Sequence, residues 1–206
     1  MSDESGKSSL VQFLNSAGVK YCVASVAAGF AIGVAGLIYS RHGGMVGAFC
    51  FSFGLYYVVL KELKLYTGRI GYLSEPFWGF VAMLAFNFVG AALAGALASV
   101  SYSTEKIVEI TTNKLQLSDL NVFGRAFLCG MMMYFAVDGW KKTKTPFSVC
   151  LGVFIFVACG FEHCVADMFY FSVSGVLATA AAWKFILLAV LGNTVGAVFL
   201  RKISLC

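Results

Sequence analysis

The amino-acid sequence predicts an all-α integral membrane protein, a six-helix bundle built from an inverted three-helix repeat with helices two and five broken. Three observations lead there. Of the 206 residues, 60% are hydrophobic and only 12% charged, and the mean hydropathy is +0.84, so too little charge is present to coat a soluble surface. The apolar residues form charge-free blocks at 21–40, 43–60, 76–104, 145–161, 168–183 and 185–200, and a further block at 120–137 is interrupted only by Arg125. A bilayer core takes about 20 such residues per helix, with roughly 17 tolerated. Lastly, Asn87-Phe88-Val89-Gly90-Ala91 returns as Asn193-Thr194-Val195-Gly196-Ala197 three spans later. An odd number of intervening crossings puts the second copy into the membrane with opposite polarity.

Taken in order, residues 1–18 are polar at their start, with Asp3, Glu4 and Lys7 and no small-residue cleavage pattern. They read as a retained cytoplasmic segment ahead of the first span. That span, at 19–40, carries Gly29, Gly33 and Gly36 on one side, where small residues let a neighbouring helix approach closely. The second, at 43–62, runs into KELKLYTGRIGYLSEP, where charges, Thr67, Gly68 and Gly71 precede Pro76 and read as a helix break. The third occupies 76–101 and includes Gly90 and Gly95; an outer loop follows. The fourth lies at 120–138, and the fifth, at 146–182, is too long for one crossing because GFEHCVAD interrupts it. The sixth spans 184–201. Irregular backbone near the membrane centre is tolerated only where protein or a cavity satisfies its amides. The chain thus reads as one domain over 1–206, with repeats at 19–101 and 120–201.

The net charge of +5 could suggest a nucleic-acid partner, but its distribution argues against one. With the N-terminus inside, ten cations fall on the cytoplasmic side: Lys7, Lys20, Lys61, Lys64, Arg69, Lys141, Lys142, Lys144, Arg201 and Lys202. Five remain outside: Arg41, Lys106, Lys114, Arg125 and Lys184. This is the positive-inside pattern of a multi-pass protein of the inner (plasma) membrane with both termini cytoplasmic. The seven cysteines, Cys22, Cys50, Cys129, Cys150, Cys159, Cys164 and Cys206, lack metal-ligand pair spacing and read as small buried hydrophobes.

The chemistry concentrates in Gly160–Phe169, GFEHCVADMF. An ionisable group at the bilayer centre costs about 2.5–3.5 kcal/mol on insertion scales, so Glu162 and Asp167 need partners, a polar end position or protonation. His163 can stay neutral and still donate a hydrogen bond from one ring nitrogen, either to hold an anion in an apolar pore or to pass it a proton. The alternative is a satisfied core histidine with Glu162 as its structural partner. A metal site on Glu162, His163 and Asp167 lacks support, since the only other histidine, His42, sits in an outer loop and structural sites need more nitrogen or sulfur ligands. No cofactor is expected. Phe51 and Phe156 could form a hydrophobic gate, and Lys20 and Lys114 could raise the local anion concentration.

GFEHCVADMF resembles the signature G-F-E-H-S-[VI]-A-N-M-F of the formate/nitrite transporter family. Four more elements follow the family in order: AGFAIG at 28–33, FSFGL at 51–55, LYTG at 65–68, and the pair FNFVGA and GNTVGA around Asn87 and Asn193. The resemblance covers nearly the whole chain. It implies an aquaporin-like protomer, assembled as a homopentamer with one pore per subunit. His163 then corresponds to the central pore histidine, Glu162 to its neighbouring acid and Thr67 to the polar residue facing it. Phe51 and Phe156 correspond to an outer constriction, Leu55, Leu65 and Tyr66 to an inner one, and Lys114 to a vestibule lysine.

The function so implied is a channel or proton-coupled transporter for a small monovalent anion of a weak acid, formate, nitrite or hydrosulfide, and not an enzyme. Two other readings are a pore-like assembly or sensor subunit without transport chemistry, and a membrane enzyme, for which no nucleophile–base or multi-ligand cluster is visible. The sequence departs from the family pattern at four places. Asp167 replaces an asparagine, Lys64 replaces an acid (Glu62 lies two positions earlier), and Tyr134 stands where asparagine is frequent. Few residues separate Gly68 from Phe77, so the second half of helix two must be short.

Overall fold

A computed structural model describes residues 16–205; Lys7, most of the polar N-terminal segment and Cys206 lie outside the described residues. The described chain is helical, without strands. Helix α1 (Ala17–His42) begins at Ser16, whose hydroxyl accepts from the Val19 amide, and ends at Gly43. Gly43 and Gly44 have φ of 62° and 51°, left-handed values open to glycine, so that α2 (Gly44–Leu60) starts almost at once. After a break come the one-turn helix α3 (Tyr66–Arg69) and a 3-10 turn, Ile70–Tyr72. Helix α4 (Phe77–Ser101) starts behind Pro76, a residue suited to a helix start. The second half follows with α6 (Asp119–Thr143), α7 (Phe147–Ala158), α8 (Cys164–Val173) and α9 (Ala180–Ile203), preceded by α5 (Glu105–Leu115).

Four helices, α1, α4, α6 and α9, are long and apolar enough to cross a membrane. At 1.5 Å per residue, α7 and α8 are about 18 and 15 Å long, so together they match a hydrocarbon core of about 30 Å. Helices two and five are therefore broken, as expected, and the second part of helix two is only α3 and its 3-10 turn.

Three boundaries differ from expectation. The fifth span ends at Val173, because Gly175 takes φ of 70° and Val176–Ala178 form a 3-10 turn. Ala180–Ala182 then belong to α9, which is capped by the Thr179 hydroxyl. Helix α6 runs to Thr143, past the expected end at 138, where Lys142 and Asp138 pair one turn apart at 2.7 Å. Between spans three and four, the expected loop contains the amphipathic helix α5, whose Ile107 and Thr111 are buried while Lys106 and Glu109 pair in solvent.

The two halves use the same joints. Helix α1 packs along α4 as α6 packs along α9, and α2 meets α7 between them. In the first crossing a Cβ on Gly29 would strike the Asn87 carbonyl, and one on Gly90 the Val26 carbonyl. In the second, Gly130 faces the Asn193 carbonyl and Gly196 the Phe127 carbonyl in the same way. Such backbone contact yields dispersion energy where no hydrophobic effect drives association. Large apolar side chains, among them Val23, Phe53, Leu97, Leu191 and Phe199, stay exposed on the outside, the arrangement of a multi-pass membrane protein.

Candidate functional site

Both helix breaks are built alike. Helix α2 ends with the Leu63 amide bonded to the Val58 carbonyl, and α7 ends with the Phe161 amide bonded to the Phe156 carbonyl. Each closure has one residue in the left-handed region, Glu62 (φ 53°) and Gly160 (φ 66°). An asparagine then holds each broken strand. The Asn87 carboxamide oxygen accepts from the Tyr66 amide at 2.8 Å, while its nitrogen donates to the Ser25 and Lys64 carbonyls. Asn193 accepts from the Cys164 amide at 3.0 Å and donates to the Ala126 and Glu162 carbonyls. Both asparagines are fully buried, so these bonds replace the water the backbone would otherwise need.

The symmetry sets Lys64 opposite Glu162 in role, and Leu65 opposite His163. His163 caps α8: its Nδ1 accepts from the Ala166 amide at 3.2 Å. An accepting Nδ1 places the ring proton on Nε2, which lies 2.8 Å from the Thr67 hydroxyl oxygen. The imidazole therefore donates to Thr67, and the threonine hydroxyl proton stays available to a third group. The ring stacks on Phe156, with centroids 5.6 Å apart and planes at 17°, and Phe156 in turn meets Phe51 edge-on at 5.8 Å.

Two cavities approach this pair from opposite sides. The first, about 390 Å³, has Phe51, Phe156 and His163 in its wall, together with Tyr39, Asn113, Lys114, Arg125, Glu162, Asp167 and Tyr170. The second, about 300 Å³, is lined by Leu55, Leu65, Gly68 and Trp140, with Glu62, Arg69, Lys141 and Lys144. Between them Phe51, Phe156, Leu55, Leu65, Thr67 and His163 are all at most 3% exposed.

The charged residues sort by cavity. Lys114, carried inward by α5, forms ion pairs with Glu162 and, at 2.9 Å, with Asp167 Oδ1. It also lies over the Tyr170 and Phe185 rings at 5.7 and 6.0 Å. Expected as a vestibule lysine, it lines the first cavity and is paired there with two carboxylates. Burial alone would lower its pKa, but Asp167 and then Glu162 outweigh that and hold it above the ordinary lysine range.

Five expected site residues line neither cavity: Thr67, Asn87 and Asn193, whose bonds are given above, and Tyr66 and Lys20. Tyr66 does not line the second cavity: its amide is taken by Asn87, its hydroxyl meets Thr194 at 2.8 Å, and its ring packs edge-on against Phe80. Lys20 is exposed in the first turn of α1, lining neither cavity. Lys64 pairs with Glu75 at 3.6 Å, and Tyr134 stacks near Tyr72 and reaches Asp138.

Sequence reasoning missed Arg69, Lys141 and Lys144 as a cationic cavity mouth, and Tyr39, Arg125 and Tyr170 as cavity lining. Arg125 alone left a signal, as the one charge in an apolar run. Among the described residues no group of histidine, cysteine and acidic side chains is arranged to hold a metal.

Comparison with known proteins follows the same lines. The sequence profile described as Formate/nitrite transporter matches residues 8–205. The chain is 28% identical over 148 residues to the formate channel FocA of Haemophilus influenzae, an alignment covering 61% of this chain and 52% of that protein. It is 28% identical over 188 residues to the uncharacterized transporter YrhG of Bacillus subtilis, covering 77% and 70%. With the formate channel FocA of Escherichia coli K12 the identity is 26% over 163 residues, covering 68% and 57%. The chain thus spans a little over half the length of the formate channels it matches. Among solved structures, an FNT family ion channel superposes with a TM-score of 0.83 at 20% identity, over 92% of this chain and 90% of that one. A pentameric formate channel with formate bound gives a TM-score of 0.76 at 20% identity, over 90% and 95%. The match along almost its whole length shows that the chain belongs to the formate/nitrite transporter family.

Proposed function

We propose that this protein conducts small monovalent anions of weak acids, formate, nitrite or hydrosulfide, across the inner (plasma) membrane, one pore in each subunit of a homopentamer. The bonded pair Thr67–His163, set between two cavities and closed in by apolar side chains, carries this reading. In this reading the first cavity is the outer vestibule, the second is the cytoplasmic one and both termini are cytoplasmic, an orientation supported by the basic residues at the second cavity. The two repeats, 19–101 and 120–201, form a single channel domain that needs no cofactor and performs no turnover.

Phe51 and Phe156 on one side and Leu55 and Leu65 on the other strip water from whatever passes and exclude metal cations, whose dehydration no oxygen ligands would offset. An anion that reaches the centre loses its hydration as well, and takes in its place a hydrogen bond from the Thr67 hydroxyl, which His163 Nε2–H holds in position. A weak acid's anion has a further way through that a strong acid's lacks: protonated, it crosses the apolar constrictions without charge. Asn87 and Asn193 hold the two breaks that keep Thr67 and His163 face to face.

Flux of formate, nitrite and hydrosulfide into liposomes carrying the purified protein, at several pH values, tests the proposal. We expect at least one anion to pass and His163→Phe to stop it. No flux of any of them, or flux indifferent to His163→Phe, rejects it; a folded, impermeable pentamer would favour an assembly or sensor role.

A further inference from the structure

The outer vestibule does not hold the charge that anion capture needs. Lys114 is the cation at its centre, and it is shared by two carboxylates, Glu162 and Asp167, whose side chains are 2% and 1% exposed. Arg125, the other cation in the wall, reaches toward the Gly160 carbonyl. With both acids ionised, the buried cluster Lys114–Glu162–Asp167 has a net negative charge and repels an arriving anion.

The two acids are not equivalent. Glu162 is bonded to Lys114 and stands in the backbone that Asn193 holds. Asp167 is fully buried on α8 beside Glu162; its Oδ1 lies 2.9 Å from the Lys114 ammonium that Glu162 shares, and its Oδ2 has no hydrogen-bond donor among the described residues. A buried carboxylate oxygen without a donor is costly, and a proton removes the cost and balances the cluster at once. His163 is badly placed for that task, because Nδ1 accepts from the Ala166 amide and the Nε2 proton is given to Thr67.

Besides Lys114, the cation lining the same cavity is Arg125 of α6, which lies at the Gly160 carbonyl, and the remaining groups around Asp167 add no further cation. From its own helix they are Cys164 and Tyr170, beside His163, which caps it; from α6, Cys129; and from α1, Tyr39, which lines the same cavity. Helix α4 has no titratable residue, α3 has only Tyr66 and Arg69, and α9 has Lys184, Arg201 and Lys202 near its ends.

We propose that Asp167 is the binding site of a co-transported proton, so that this pore takes its anion together with one proton. The inference rests on the transport reading above and assigns the coupling to a residue of this chain. With Asp167 protonated, the cluster is neutral and the anion enters the vestibule. The carboxylic O–H bond then breaks, a new O–H bond forms on the anion, and the electron pair left on Asp167 is held by Lys114. The neutral acid passes the constrictions, and a proton from bulk water restores Asp167 through the same vestibule.

Two measurements on the full-length protein test this. Infrared difference spectra of the purified protein, recorded across a pH titration, should show a buried protonated carboxylic acid that disappears in Asp167→Asn and persists, shifted, in Asp167→Glu. In liposomes, formate uptake by the wild type should acidify the lumen one proton per anion and ignore a potential set with valinomycin. Asp167→Asn, which leaves the neutral pair Lys114–Glu162 in place, should let formate pass as charge: uptake then follows the potential and the lumen no longer acidifies. The same proton-to-anion ratio in Asp167→Asn and wild type overturns the proposal, as does an infrared spectrum without the band. Absence of wild-type flux for formate, nitrite and hydrosulfide defeats the transport reading and the coupling with it, while the infrared band decides separately whether Asp167 holds the proton.

Discussion

Asn193→Ala is the sharpest test of how the broken helices are held. The side chain is fully buried and makes three hydrogen bonds, one accepted from the Cys164 amide and two donated, to Ala126 and Glu162. The Ala126 carbonyl lies within α6 and keeps a helical partner. The Cys164 amide and Glu162 carbonyl belong to the break and are left without one. A buried polar group stripped of its partner costs about 1–3 kcal/mol, so two of them predict a loss of about 2–6 kcal/mol. Double-mutant cycles between membrane helices average about 0.6 kcal/mol per bond, which favours the lower half of that range. Equilibrium unfolding of the detergent-purified protein in mixed micelles measures it, with Asn87→Ala as the partner experiment, since Asn87 makes the matching three bonds. Asn193→Asp should be no better than alanine, because a carboxylate retains the acceptor but turns an oxygen toward two carbonyls. If both alanine variants unfold within about 0.5 kcal/mol of wild type, the asparagines do not hold the breaks and the reasoning fails.

Four further outcomes follow from the same coordinates. Gly196→Ala and Gly29→Ala put a methyl group into a backbone carbonyl across each helix crossing and should cost at least about 1–3 kcal/mol, read as loss of folded protein on size-exclusion chromatography, whereas Gly124→Ala, with open space around it, should be silent. Glu62→Gly relieves a left-handed backbone on an exposed residue and should stabilise by up to about 1–2 kcal/mol, less the entropy glycine adds to the unfolded chain; micellar unfolding reads this too. Lys114, on α5, has a folded pKa above its unfolded one, so its stabilisation is complete below the unfolded value of about 10.4 and is lost only as pH rises through the folded one. Its own titration therefore leaves stability flat between roughly pH 5 and 9. Lys114→Met leaves two buried carboxylates unpaired and should cost about 3–5 kcal/mol, a deficit that shrinks on acidification in thermal melts. Finally, Lys141→Gln with Lys144→Gln removes charge from the wall of the second cavity and should slow anion flux at low salt but not at high salt, where the Debye length shortens to about 3 Å at 1 M.

How much of this was legible beforehand varies by element. The crossings followed from charge-free blocks, because the bilayer imposes a length and excludes charge whatever the partners are. The breaks were visible as glycine and charge inside those blocks, and the repeated Asn-x-Val-Gly-Ala marked the residues that bind them. Helix α5 was not, since a half-buried eleven-residue helix outside the membrane is neither long nor continuously apolar. The place of Tyr66 was also hidden: the family resemblance put it in an inner constriction, but its amide, hydroxyl and ring go to Asn87, Thr194 and Phe80.

By itself, the sequence determined the membrane class, the six crossings with two of them interrupted, the family, and the residues that can bear chemistry in an apolar run. Those properties depend on composition and local order, which the one-dimensional chain carries in full. Tertiary structure alone decided which charges meet. Lys114 and Asp167 stand more than fifty positions apart and look unrelated in the sequence, one an interfacial cation and the other a stray acid. Folding puts α5 over α8 and brings an ammonium to two carboxylates that are almost wholly buried. Electrostatic energy depends on distance and burial, and neither is written in residue order.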